Sequence, residues 1–189
     1  MPILHLLAGP NGAGKSTYAD RILQPVTRLP LVNANVIAAE RWPADQSAHA
    51  YDASTAAAEE RARLLTAGTS FITETVFSHP SKLELVDDAL ARGYLVHLHV
   101  ILLPVDVAVL RVAERVELDG GHVVPEAKIR ARYERLWPLV AQARLRADRT
   151  EFFDNSTAHR PFHRVAEYQR GLLIGEPAWP IWTPTALAD

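Results

Sequence analysis

The sequence predicts an α/β domain in three layers: a mostly parallel central sheet, helices on both of its faces, and a small lid. Three observations predict it. Short apolar runs alternate with segments of helical spacing through most of the 189 residues, as strands joined by crossover helices do. The run "YLVHLHVILL" is apolar at successive positions, so both of its faces need cover. The first apolar run ends in a glycine-rich loop that opens a helix.

Taken in order, "PILHLLAG" reads as a first strand breaking at Gly9, and "KSTYADRILQ" as a helix with Tyr18 and Ile22 on its inner stripe. "LPLVNA" is a second strand. The alanine-rich stretch 44–68 reads as one long helix closed by Gly68, a residue free to take the left-handed cap. "TSFITET" is a third strand. A helix then starts at Pro80, carries Leu83, Val86 and Leu90 inward and stops at Gly93. "YLVHLHVILL" follows as the central strand, and Pro104 opens a helix through Leu118. "DGGHVVPE" is a Gly-Gly turn, after which Ile129, Tyr133, Leu136 and Val140 restore a helical stripe that Pro138 should kink. "TEFFDNS" is the last core strand, "RVAEYQRGLLIG" adds an edge strand, and the tail 175–189, with Trp179 and Trp182, is expected to cover the core. No repeat or linker divides the chain, so residues 1–189 are expected to form a single domain, with the lid at about 111–135.

Composition narrows the function classes. With 20 basic against 22 acidic residues the formal charge is -2, which gives no reason to expect nucleic acid as a partner. There is no cysteine, which removes disulfide frameworks and thiolate metal sites. The first apolar run is too short to span a membrane and has no basic region before it, so the expected location is the cytoplasm. Lys15, Lys82 and Lys128 are the only lysines, and all other basic residues are arginine. One of those three falls where phosphate chemistry wants a compact ammonium.

That position lies in "GPNGAGKST", which fits G-x-x-x-x-G-K-[ST] at Gly9, Gly14, Lys15 and Ser16, between a strand and a helix. In such a loop the backbone of Gly9, Pro10, Asn11, Gly12, Ala13 and Gly14 curls so that its N–H groups face phosphate oxygens. Lys15 reaches the terminal phosphates, Ser16 offers its hydroxyl to Mg²⁺, and Thr17 continues the cradle into the helix. The cofactor expected is therefore ATP or GTP with Mg²⁺. No N-K-x-D stretch reads guanine, and "LVHLHVILLP" ends in no acid, as the magnesium strand of a motor or switch would. "TSFITET" does end in Glu74, for which a magnesium role stays open. A P-loop kinase with an arginine lid fits better. Arg111 and Arg115 share one helical face, Lys128, Arg132 and Arg135 another beyond Gly120 and Gly121, and a hinge there could close cations over a transferring phosphoryl group. Surface ion pairs, Arg111 with Glu114 and Arg115 with Asp119, are the alternative.

Together "AGPNGAGKST", "VNANVIA", "FITETVFS", "RVAERV", "GGHVVPEAKIRARYERL" and "DNS" resemble the zeta-toxin family of P-loop kinases, in its compact single-domain branch. The resemblance implies phosphoryl transfer from ATP or GTP to a sugar hydroxyl, with UDP-N-acetylglucosamine the acceptor class, and an antitoxin protein as partner. It implies that Lys15 and Ser16 hold phosphate and magnesium, that Glu74 with Thr75 and Asn33 binds the acceptor, and that Arg115 and Arg132 are lid arginines beside Arg111. Asn155 in "DNS" sits where such kinases cradle the base, although an Asx turn explains it nearly as well.

The chain departs from the family at one point. Where the family reads N-A-D, with the aspartate as base toward the acceptor hydroxyl, this chain reads Asn33, Ala34, Asn35. An amide accepts a hydrogen bond but takes no proton near neutral pH, and loss of a general base typically costs about 10² to 10⁴ in rate. Three readings stay open: a kinase disarmed by one Asp-to-Asn change, a kinase that recruits Glu74 or Asp52 as its acid, and a nucleotide-binding pseudokinase. Retention of Lys15, Ser16, Glu74 and the arginines favours the first. His97 and His99 share a face of a buried strand and read as neutral core residues, whereas His122 falls in the lid loop.

Overall fold

The computed structural model describes residues 1–119 and 124–188. Seven strands, β1 (Ile3–Ala8), β2 (Leu31–Val32), β3 (Phe71–Thr75), β4 (Leu95–Leu102), β5 (Arg149–Asp154), β6 (His163–Gln169) and β7 (Leu172–Leu173), form one sheet. Its order is β2-β3-β1-β4-β5-β6-β7. The first five strands of that order pair in parallel, and β6 and β7 add an antiparallel hairpin at the far edge. β1 lies at the centre with both faces covered; Leu4 and Leu6 enter one core and Leu7 the other, the alternation a strand imposes.

The helices divide between the two faces. On the first, α4 (Ala50–Thr66), α5 (Ser81–Ala91) and α7 (Glu126–Arg144) bring Leu64, Val86, Leu136 and Val140 onto Leu98 and Phe152. On the second, a helix assembled from α1 (Lys15–Tyr18), a π-helical turn (Ala19–Leu23) and α2 (Gln24–Thr27) joins α6 (Val105–Asp119) in covering Leu7, Ile72 and Ile101. The π-helical turn has a cause in the sequence. Pro25 lacks an N–H and its ring collides with the carbonyl four residues back, and a wider turn just before it relieves both. That turn also shifts the phase of the stripe, so Leu23 is buried whereas Ile22, expected inside, is exposed.

Other expectations are corrected. β2 is only two residues long, and residues 34–41 form a helix, α3 (Ala34–Arg41), where no helix was expected. The expected long helix 44–68 begins only at Ala50, because residues 43–49 are taken up by turns. Pro138 lies inside α7, which continues past it to Arg144. The run expected to give one edge strand folds back as β6 and β7. Trp179 packs edge-on against Phe152, and Leu187 of the terminal α8 (Thr185–Ala188) is fully buried, with its carbonyl accepting from Arg144 at 2.9 Å. Among the described residues no helix is long and apolar enough to cross a membrane.

Candidate functional site

The glycine-rich loop leaves the C-terminal end of β1 and runs into α1. Two of its glycines are required by geometry. A Cβ on Gly9 would stand 2.5 Å from the backbone oxygen of Ile101, because the loop rises flush against β4. Gly14, at φ 88°, is the left-handed N-cap of α1, and a Cβ there would lie 2.8 Å from the amide nitrogen of Asn155. Pro10 closes the turn by accepting from the Ala13 N–H at 3.2 Å, while Asn11 keeps a buried side-chain oxygen without a partner. Gly12 packs against α6, where a Cβ would meet Arg111 at 3.2 Å.

Lys15 folds back over this loop, donating to the carbonyls of Gly9 and Pro10 at 2.9 Å each. Burial pushes its pKa down to about 8; the Glu74 carboxylate works against that shift, and the guanidiniums of Arg115 and Arg132 add to it. Arg115 comes from α6 and Arg132 from α7. Among the described residues Arg111, Arg115 and Arg132 form no salt bridge, whereas Arg130 ties α7 to α6 through Asp106 at 2.8 Å. Crowding of cations is how a protein prepares a place for a polyanion. The hinge glycines Gly120 and Gly121, and His122, lie outside the described residues.

Beside the cradle a carboxylate joins two loops. Ser16 Oγ donates to Glu74 Oε1 at 2.9 Å, and the buried Asn33 donates its amide N–H to the same oxygen. The other oxygen, Oε2, is buried and unpartnered. Asn33 is also the N-cap of α3, its Oδ1 accepting from the Asn35 N–H at 2.7 Å. Expected as an acceptor ligand, Asn33 is instead committed at both ends of its amide to protein. Asn35 follows on the first turn of α3 with its side chain exposed. Thr75 caps a turn, its Oγ1 accepting from the Phe77 N–H at 3.1 Å, and Thr17 is exposed on α1. Asp52, one alternative base, is bound to His49 at 2.8 Å, whose ring stacks on Trp42.

Asn155 too departs from its expected use. Buried at the end of β5, it donates to the Ala13 carbonyl at 2.9 Å and accepts from the Phe162 N–H at 3.3 Å, so it clamps the loop rather than offering its amide to a base. Phe162, at φ 53°, rests beside Gly14 and against Tyr18; nothing in the sequence pattern pointed to it. Behind Tyr18 lie core histidines, with the His99 ring centroid 5.7 Å from that of Tyr18. His5 Nδ1 and His99 Nε2 are 3.0 Å apart in the core, and burial pushes their pKa values down to about 4 and about 3. Burial lowers His97 as well. No group of three or more metal-ligating side chains occurs among the described residues.

Ser16 and Glu74 supply hard oxygen donors, one of them a buried carboxylate oxygen without a partner, which is the donor set that fits Mg²⁺. With Lys15 and the arginines they make a site whose chemistry matches a metal-bound polyphosphate. Solved structures share the fold at low identity. The AvrRxo1-ORF1:-ORF2 complex with ATP is similar at TM-score 0.71 and 16% identity, over 92% of this chain and 60% of that one. The chain thus spans about three fifths of the length of that relative. The PezAT toxin-antitoxin system of Streptococcus pneumoniae is similar at TM-score 0.63 and 17% identity, over 88% and 72% of the two chains. A gluconokinase from Sinorhizobium meliloti is similar at TM-score 0.52 and 16% identity, over 81% and 82%. No curated protein matches the chain. Residues 4–139, from β1 through α6 into α7, match the family model described as an AAA domain, and the chain belongs to that family.

Proposed function

We propose that the chain is an ATP- or GTP-dependent kinase that moves a phosphoryl group onto a hydroxyl of a small acceptor. The zeta-toxin resemblance points to a nucleotide sugar such as UDP-N-acetylglucosamine. The observation that carries the proposal is the continuous line from Lys15 and Ser16 through Glu74 and Asn33 to Asn35, with Arg115 and Arg132 bearing on Lys15. It joins a phosphate cradle to the start of α3, where the resemblance puts the acceptor's base.

In this reading the acceptor oxygen attacks the γ-phosphorus, the bond to the leaving diphosphate oxygen breaks, and the nucleoside diphosphate departs. Lys15, Arg115 and Arg132 stabilise charge on the transferring oxygens. Ser16 and Glu74 would hold Mg²⁺, which when bound neutralises phosphate charge. Glu74 thus serves the metal side of the site through Ser16, besides the acceptor role the resemblance implies. The hydroxyl proton needs a base, and Asn35 cannot take it. Glu74 accepts from Ser16 and Asn33 at Oε1 and in this reading gives its unpartnered Oε2 to Mg²⁺, while Asp52 is bonded to His49, so neither stands free as the base. Activity in this chain is therefore crippled and nucleotide binding retained.

Incubation of the chain and its Asn35→Asp form with labelled ATP and a panel of nucleotide sugars tests this. The Asp form should transfer label about 10² to 10⁴ faster, and Lys15→Ala should abolish transfer. If both forms bind nucleotide and neither labels any acceptor, the second reading, a nucleotide-binding pseudokinase, replaces the first. An antitoxin partner belongs to the same proposal, supported by fold likeness to a toxin-antitoxin system.

A further inference from the structure

Of the asparagines in the chain, Asn11, Asn33, Asn35 and Asn155, only Asn11 is followed by glycine, and it lies in the phosphate loop. Asparagine is labile because it can react with its own backbone. The nitrogen of the next residue attacks Cγ, ammonia leaves, and water opens the resulting succinimide to aspartate or isoaspartate. Three things oppose the attack: hydrogen bonds on the side-chain amide, a hydrogen bond on the attacking N–H, and a side chain that shields it. Asn33 has its amide bonded at both ends, to Glu74 and to the Asn35 N–H. Asn155 is also bonded at both ends, and the Ser156 N–H behind it donates to Asp154 Oδ1 at 2.8 Å. Asn35 is held in the first turn of α3, and the branched Val36 follows it.

Asn11 has none of these restraints. Its side-chain oxygen has no partner, and among the described residues the Gly12 N–H donates to nothing. The missing shield is a necessity of the loop, since Gly12 has φ 73° and a Cβ there would stand 3.1 Å from the Ala108 carbonyl oxygen and 3.2 Å from Arg111 Cβ. Both residues are half-buried, so water reaches them. Cations gather at the same place: Lys15 donates to the Pro10 carbonyl at 2.9 Å, and Arg111 flanks Gly12. They favour the negative charge that the attack places on the amide oxygen of Asn11. They would then hold the product carboxylate where phosphate belongs.

We propose that Asn11 is a self-modifying site, converted to aspartate or isoaspartate in the empty loop and protected when nucleotide is bound. Water enters, ammonia leaves, and no oxidant or reductant is required. Nucleotide protects because the loop N–H groups then donate to phosphate oxygens, and an N–H so engaged is no nucleophile. Conversion shuts the site: a carboxylate repels phosphate, and isoaspartate also lengthens the backbone by a carbon just before Gly12. The loss of binding rests on the phosphate-cradle reading given above, whereas the conversion itself does not.

Peptide mapping by mass spectrometry tests this on the full chain, kept for days at neutral and mildly alkaline pH with and without ATP and Mg²⁺. Conversion should be fastest at Asn11 among the asparagines and should rise with pH. With ATP at about ten times its dissociation constant it should slow about tenfold, because only the empty fraction reacts. Asn11→Asp should bind ATP about tenfold or more weakly from the start, with unchanged far-ultraviolet dichroism to show that it folds. Asn11→Ser has no amide to lose and should keep its starting affinity through the same days, which separates conversion from general decay. The proposal is overturned if Asn11 stays intact, converts no faster than Asn35, or converts equally fast beside bound ATP. An Asn11→Asp chain that binds ATP as the parent does also overturns it. A fresh chain that binds no nucleotide overturns the phosphate reading and the protection with it, while the peptide masses still decide the conversion.

Discussion

Lys15 carries the largest consequence of a single side chain. In the free chain its pKa is pushed down to about 8, chiefly by burial. Beside bound phosphates the same ammonium is favoured, so its pKa must rise on binding. Below pH 8 it is charged in both states and affinity for nucleotide is flat. Above pH 8 binding must take up a proton, and affinity falls by up to about tenfold per unit. Titration calorimetry at pH 9 in two buffers of different ionisation enthalpy should show that uptake, and equal heats would show that Lys15 does not change charge. Asn33 makes a second test. Asn33→Asp keeps the cap oxygen for Asn35 but replaces the amide donor with a carboxylate against Glu74. Stability at pH 7 should drop by about 1–3 kcal/mol, which urea midpoints measure, and an unchanged midpoint would show that the bond to Glu74 is dispensable. Residues of fixed chemistry, Lys15, Ser16 and Glu74, were legible in the sequence. The asparagines were not: an amide that caps a helix or clamps a loop has the same letter as one that binds a ligand, and only the partners of Asn33 and Asn155 separate the two.

Elements were legible where period and punctuation agreed. β3, β4 and α5 announce themselves by apolar runs or stripes with Pro80 and Gly93 as boundaries, and each lies where it was expected. α3 was hidden because its eight residues carry a short stripe and sit directly behind a two-residue strand, so the stretch reads as loop. The π-helical turn was hidden because one widened turn moves the stripe by a residue, and the residue it promotes, Leu23, is as apolar as the one it displaces. How two elements meet is a further thing a linear pattern does not state. β1 and β4 pair so closely where the loop begins that Gly9 has the Ile101 carbonyl 2.5 Å from where a Cβ would be. Backbone cannot swing aside as a side chain can, so Gly9→Ala must pry the loop off β4. It should cost about 1–3 kcal/mol and weaken nucleotide binding, because the carbonyl that orients Lys15 moves with it. Thermal unfolding and nucleotide titration measure the two losses together; a variant as stable as the parent would show that the loop does not need this contact.

At the scale of the whole molecule, the sheet is continuous from β2 to β7, and its middle holds an imidazole cluster rather than a purely apolar core. His5 and His99 share one hydrogen bond. The sequence showed that His97 and His99 face one way, but not that His5 on the neighbouring strand completes the group, since register between strands is not written in either strand alone. The bond can form only if one ring donates and the other accepts. With His99 Nδ1 turned toward Glu151 at 3.8 Å, the consistent arrangement has His5 donating from Nδ1 to His99 Nε2. His99 must then be neutral because its Nε2 accepts, and burial, which pushes the His5 and His99 pKa values down to about 4 and about 3, keeps both rings neutral near pH 7. The unfolded chain takes up protons at these sites near pH 6.5. Between pH 6.5 and about 4 it binds more protons than the folded chain, so stability falls as pH falls through that window, by on the order of a few kcal/mol. Replacing both rings by leucine, His5→Leu with His99→Leu, removes the bond and both titrations together and leaves neither imidazole unpartnered. Denaturant unfolding at intervals from pH 7 to pH 4 should then show a shallower decline than in the parent, with the remaining slope owed to His97 and the surface carboxylates. Parallel declines would place the acid sensitivity elsewhere, and the cluster would be ordinary core.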